Sequence, residues 1–478
     1  MDHLTVRGYF PQMRRLLLAP FLSLGVIASV LSAPAVAAAP PVPGSAEYQK
    51  RDETNQADAW GRTVGQLTDP LYLMAALARL GPVTFTTWME QASRPNRPAI
   101  TLQTLLPPAA MGDPLRADWA GRRGQSAEVA FKNRYGALLR GTVYAPLPGA
   151  RDPYTGERLE GPFPSVVITP GSIQGMRPMY TWLAQDLAER GYVVLTFDVQ
   201  GQGQSETFPH IGDLLLPSCG TGPKPPNEAG DCPGVPSQQA ANFVYGTSDA
   251  IDFFYATPSS PVREAFNPLW KLVDRSPDPH PATPGRTTRL ALAGHSLGAM
   301  AISHLQGVDD RVQTIIALDK LSSGSEAWPV RPVVPALGLQ ADYSFFPEAH
   351  EQAPDPAREL NRGYRAWRTA DVDAAVFVQR AATHLDYTDF PILLPASRNG
   401  GKVASAYAQA WLAKYLKHDP SADALLTGSS FRYFESGRWR ELTVQRNLSF
   451  YFCSAYHFAL ASGSGTAHSD DVTNVGCG

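Results

Sequence analysis

Ser296, His384 and a small choice of aspartates are the residues whose types and spacing could do nucleophilic chemistry in this chain. Ser296 lies in Gly294-His295-Ser296-Leu297-Gly298, after the apolar run Leu290–Ala293 and before a small-residue helical pattern, Ala299–Leu305. Strand, sharp turn and helix in that order force the apical serine into a strained backbone conformation, with its hydroxyl raised above the sheet. Glycine is required on both sides, because a Cβ would crowd the place where helix and strand approach. A serine hydroxyl is barely ionised at neutral pH and needs a base. His384 is the expected base, since it stands on a loop shortly after the strand-like run Ala374–Gln379. His295 adjoins the serine, but a regular elbow points it elsewhere. His350, His418 and His457 do not follow both a core strand and a candidate acid. Asp342 and Asp319 each end a strand-like run and could orient the imidazole, whereas Asp386 is too close along the chain to reach Nδ1. Backbone N–H donors for an oxyanion are expected from Leu297, at the helix N-terminus, and from Ser172, with Ile173 as the alternative, in the loop Pro170-Gly171-Ser172-Ile173. The chemistry these residues would perform is acyl transfer through a serine ester, with no metal and no organic cofactor.

The elements that must position them can be read around this centre. Glu128–Lys132 and Leu138–Ala145 alternate like the arms of a β-hairpin. Ser165–Thr169 and Tyr192–Asp198 are short continuous apolar strands joined by a helix over about Tyr180–Arg190, a βαβ unit that implies parallel pairing. Asp198-Val199-Gln200-Gly201-Gln202-Gly203-Gln204-Ser205 is expected to be a structural turn, with Asp198 and Ser205 bonding the turn itself. A helix follows over Gln238–Thr257, then strands at Arg311–Asp319, Val333–Gln340 and Ala374–Gln379, and a closing helix over Val403–Leu416. Insertions at about 207–236 and 258–286 are placed to wall the substrate, and the first carries an apolar run, Ile211–Leu216. Tyr180, Trp182, Phe345 and Phe346 are candidate pocket aromatics. In the segment 40–125, Leu71–Leu80 reads as a helix started by Asp69-Pro70 and stopped by Gly81-Pro82. Arg94–Pro108 is proline-broken and expected to wrap the surface.

The whole chain has 478 residues, a formal net charge of -3 and 44% hydrophobic residues, which suits one large α/β domain with insertions. Without a basic stripe, nucleic acid is an unexpected partner. Arg7, Arg14 and Arg15, the uncharged run Leu16–Leu31 and the alanine-rich sites near Ala35–Ala39 predict a cleaved export signal over 1–39, with no stable membrane insertion after its removal. Four cysteines in an exported chain suggest disulfides, and the local pairs Cys219–Cys232 and Cys453–Cys477 are the preferred connectivity.

With these motifs in place, the chain over about Ser126–Asp419 resembles the α/β-hydrolase superfamily, in particular exported bacterial serine esterases and lipases. The resemblance rests on the elbow, the Pro170-Gly171 loop, the Asp198–Ser205 turn and the order serine, aspartate, histidine. It implies an α/β-hydrolase fold: a mostly parallel central sheet flanked by helices over 126–424, with insertions above the active-site edge and a C-terminal extension over 425–478. It also implies Ser296 as nucleophile, His384 as base and Asp342, one strand later than Asp319, as acid. The substrate would be a small or polymeric carboxylic ester. Acyl transfer to an alcohol or attack on a peptide would use the same trio. Dehalogenases and epoxide hydrolases of similar fold would need a carboxylate at position 296.

Overall fold

The computed structural model describes residues 41–93, 111–172, 175–207, 240–277, 286–350, 354–358, 362–389 and 397–477. The export signal, the Cys219–Cys232 pair, the run Ile211–Leu216, Ile173 and the proline-broken segment after Arg94 lie outside these residues.

The fold is built on strands that are buried from end to end. β1 (Gly124–Lys132) and β2 (Leu138–Pro146) form the expected antiparallel hairpin. β3 (Ser165–Thr169), β4 (Val193–Phe197), β5 (Leu290–His295), β6 (Val312–Leu318), β7 (Ala336–Ala341) and β8 (Ala374–Gln379) are buried at every position. Only a sheet covered on both faces accommodates such strands, and these six pair parallel. The covering helices are α3 (Thr181–Glu189), α4 (Ala240–Tyr255), α5 (Leu297–Leu305), α6 (Arg362–Thr369) and α7 (Arg398–Lys417). α3 and α7 pack in one apolar core, and α4, α5 and α6 in the other. This is the mostly parallel, helix-flanked α/β architecture expected from the sequence.

The C-terminal extension lengthens the same sheet. After α8 (Ala422–Thr427), the two-stranded hairpin of β9 (Ser430–Glu435) and β10 (Arg438–Thr443), and the single turn α9 (Val444–Asn447), β11 (Ala455–Ala459) pairs antiparallel with β8. β12 (Thr466–Ser469) then completes a ten-stranded sheet in the order β1-β2-β4-β3-β5-β6-β7-β8-β11-β12. A Cys453–Cys477 disulfide closes the tail. No helix among the described residues is long and apolar enough to cross a membrane.

The N-terminal segment is more regular than its sequence suggests. α1 (Ala46–Thr68) is N-capped by Ser45, whose Oγ accepts from the Tyr48 N–H at 3.2 Å. α2 (Pro70–Ser93) starts at a proline that the first helical turn tolerates, with the Asp69 carboxylate accepting from the Leu71 N–H at 3.0 Å. The expected stop at Gly81-Pro82 does not occur, and α2 continues through Pro82. One missing N–H costs a single intrahelical bond, which a 24-residue helix survives.

Candidate active site

Ser296 joins β5 to α5 with φ 56° and ψ -118°, a left-handed conformation that serine rarely adopts. Its N–H reaches the Leu318 carbonyl at 3.2 Å, which ties the elbow to the end of β6. The flanking glycines are needed on steric grounds. A Cβ on Gly294 would lie 2.4 Å from the Gly298 carbonyl oxygen, and one on Gly298 would lie 2.4 Å from that of Pro170. Tight contact thus fixes the elbow against the loop that follows β3.

His384 begins a short turn after β8, where Thr383 and Asp386 cap one another and Asp386 also accepts from the N–H and hydroxyl of Ser397. The His384 N–H donates to the Ser344 carbonyl at 2.8 Å. Its Nδ1 is paired with the carboxylate of Asp319, the residue directly after β6. A carboxylate accepts, so Nδ1 carries the proton and Nε2 is left as the basic nitrogen. Burial raises the Asp319 carboxyl, but the neighbouring His384 imidazole outweighs it and holds the group below the usual carboxylate range. Asp319 itself has φ 53°, and its N–H donates to Leu339 at 2.6 Å. Backbone strain and a strand-end bond together aim this side chain.

Asp342, the acid expected from the superfamily pattern, is not at the imidazole. Its Oδ2 accepts from Asn55 Nδ2 of α1 at 2.9 Å and from the Ala381 N–H at 2.7 Å. Burial pushes its carboxyl up to about 6. The physical reason is strand order. β6 lies directly beside β5, whereas β7 lies one strand further from the elbow, and the end of β7 is sealed by α1. Distance along the chain favoured neither aspartate, and pairing between strands decides which one meets His384.

A hydrogen-bonded relay that sequence reasoning missed runs behind these groups. His295, 1% exposed, bonds Tyr180 Oη through Nδ1 at 2.8 Å and the His384 carbonyl through Nε2 at 3.0 Å. A carbonyl can only accept, so Nε2 bears the hydrogen and Nδ1 accepts from Tyr180. Tyr180 in turn accepts from the Gly171 N–H at 2.9 Å. Burial first, and then the nearby His384, depress His295 to about 3, so it stays neutral wherever His384 could act as a base. The two imidazole rings lie 4.5 Å apart. The relay therefore couples the loop after β3 to the loop that carries His384. It also occupies the Gly171 N–H, which makes Ser172 the next amide in that loop. Leu297 is the first residue of α5, and its N–H belongs to the unpaired first turn of a helix.

Of the candidate aromatics, Tyr180 and Trp182 are core residues, whereas Phe345 and Phe346 are 45% and 50% exposed. Phe345 meets the His384 ring edge-on at 5.0 Å. The Asp198 turn is structural, as expected: its carboxylate accepts from the Arg177 N–H and guanidinium, both at 2.7 Å, and Ser205 donates to its carbonyl at 2.6 Å.

No family profile and no curated protein matches this chain. Among solved structures, it is similar to a ferulic acid esterase from Streptomyces cinnamoneus, at a TM-score of 0.38 and 20% identity, over 63% of this chain and 92% of that one.

Proposed function

We propose that the protein is an exported serine hydrolase that cleaves carboxylic esters through an acyl-Ser296 intermediate. The observation that carries this reading is the Asp319–His384 pair, whose imidazole lies 4.5 Å from the ring of His295, the residue that precedes a serine held at a strained strand-to-helix apex. Nε2 of His384 takes the Ser296 proton as Oγ attacks the ester carbonyl. Asp319 stabilises the imidazolium that forms, and the N–H groups of Ser172 and Leu297 receive the oxyanion. His384 then protonates the leaving alcohol, and water repeats the sequence to release the acid. The Cys453–Cys477 disulfide supports an oxidising destination.

The test is substitution of the nucleophile. Ser296→Ala should abolish p-nitrophenyl ester hydrolysis and fluorophosphonate labelling while the circular dichroism spectrum is preserved. Labelling that persists in this variant would reject the assignment.

A further inference from the structure

A cavity of about 800 Å³ lies between α1, the end of β8, the first turn of α7 and the β9–β10 hairpin. Its size is that of a small-molecule site. Its lining is unusual in charge. Arg62, Arg380, Lys402, Arg440 and Arg446 face it, against Asp58 and Glu441. Arg380 is matched by Asp58 at 2.7 Å, and Arg440 by Glu435 at 3.2 Å. Arg62, Lys402 and Arg446 have no carboxylate within ion-pair distance among the described residues. Arg62 instead donates to the carbonyls of Arg380 and Ala381 at 2.9 and 3.1 Å, and Lys402 to Asn399 at 3.2 Å.

Surface cations normally extend into water and away from each other. Here Arg62 and Lys402 are half-buried, which removes hydration without a carboxylate in direct contact to replace it. The first turn of α7, at Asn399 and Lys402, adds the positive end of a 20-residue helix. A second and independent feature is Gln379. It lines the same cavity, is 1% exposed, and among the described residues neither polar atom of its amide has a hydrogen-bond partner. A buried amide without partners is costly, and an incoming acceptor would satisfy its Nε2.

We propose that this cavity binds a small polyanion bearing phosphate or carboxylate groups, with Lys402, Arg446 and Arg62 as its cationic contacts. The site is separate from Ser296 and does not rest on the esterase reading. Calorimetric titration of the whole protein with inorganic pyrophosphate and with citrate tests it. The expected result is one-to-one binding of at least one of these anions, weakened by added salt and at least about tenfold weaker in Arg446→Glu and Lys402→Met, as loss of a charge-assisted hydrogen bond implies. Binding of pyrophosphate alone identifies a phosphate ligand, and binding of citrate alone a carboxylate one. Both variants should keep the ester turnover of the unaltered chain. No binding of either anion, or equal affinity in both variants, overturns the proposal.

Discussion

Two aspartates, each the residue directly after a strand, have opposite electrostatics and should respond oppositely to the same change. Asp319 is held ionised by His384, so Asp319→Asn should lower kcat by about 10³–10⁴-fold through loss of the correct imidazole tautomer. Asp342 bonds Asn55 and Ala381 rather than His384, so Asp342→Asn should leave kcat within about tenfold, as expected of a change outside the reacting groups. Its folded-state value of about 6 lies above the ordinary 3.8, so the folded protein binds the proton more tightly than the unfolded chain. Stability of the unaltered protein should therefore fall as pH rises through that window, and Asp342→Asn should remove this dependence. Thermal denaturation of both proteins across mildly acidic pH is the measurement. Tyr180→Phe frees the Gly171 N–H and breaks the link to His295. It should reduce kcat by about 10–100-fold with little change in KM, because the tethered loop carries Ser172, an oxyanion donor in the proposed mechanism, and such a donor acts chiefly in the transition state.

At the scale of elements, the elbow was the most legible part of the chain, because all its determinants are local. The steric need for Gly294 and Gly298 can be argued from five consecutive residues. Gly298→Ala places a methyl against the Pro170 carbonyl and should cost about 2 kcal/mol or more in denaturant unfolding. The acid was not legible in the same way. Asp319 and Asp342 both terminate apolar strands, and only the lateral order of those strands separates them. α1 was hidden for a different reason. Its buried residues are Tyr48, Asp52, Asn55, Ala59 and Gln66, at helical spacing but largely polar. Apolar periodicity cannot detect a helix that docks through hydrogen bonds. Asn55, Asp58 and Arg62 grip the turn after β8, where Arg380 Nε donates to Asn55 at 3.0 Å.

Across the whole molecule, distant segments converge through buried ions. Arg116, 5% exposed, bonds Asp186 of α3 at 2.7 Å and Glu435 of β9 at 2.6 Å, so it joins the N-terminal segment, the core and the C-terminal extension. Arg116→Met would leave the buried Asp186 carboxylate without its cation and Glu435 with Arg440 alone. Equilibrium unfolding should show a loss of about 3 kcal/mol or more.

The grip of α1 on the β8 turn bears on how small a working version of this protein can be. Serine, imidazole and carboxylate all fall between positions 296 and 384, and a shortened gene encoding 126–424 would carry every reacting group. It would nevertheless discard the splint that steadies the imidazole's loop from outside the sheet. Engineers seeking a minimal catalyst would do better to trim elsewhere and keep residues 46–68.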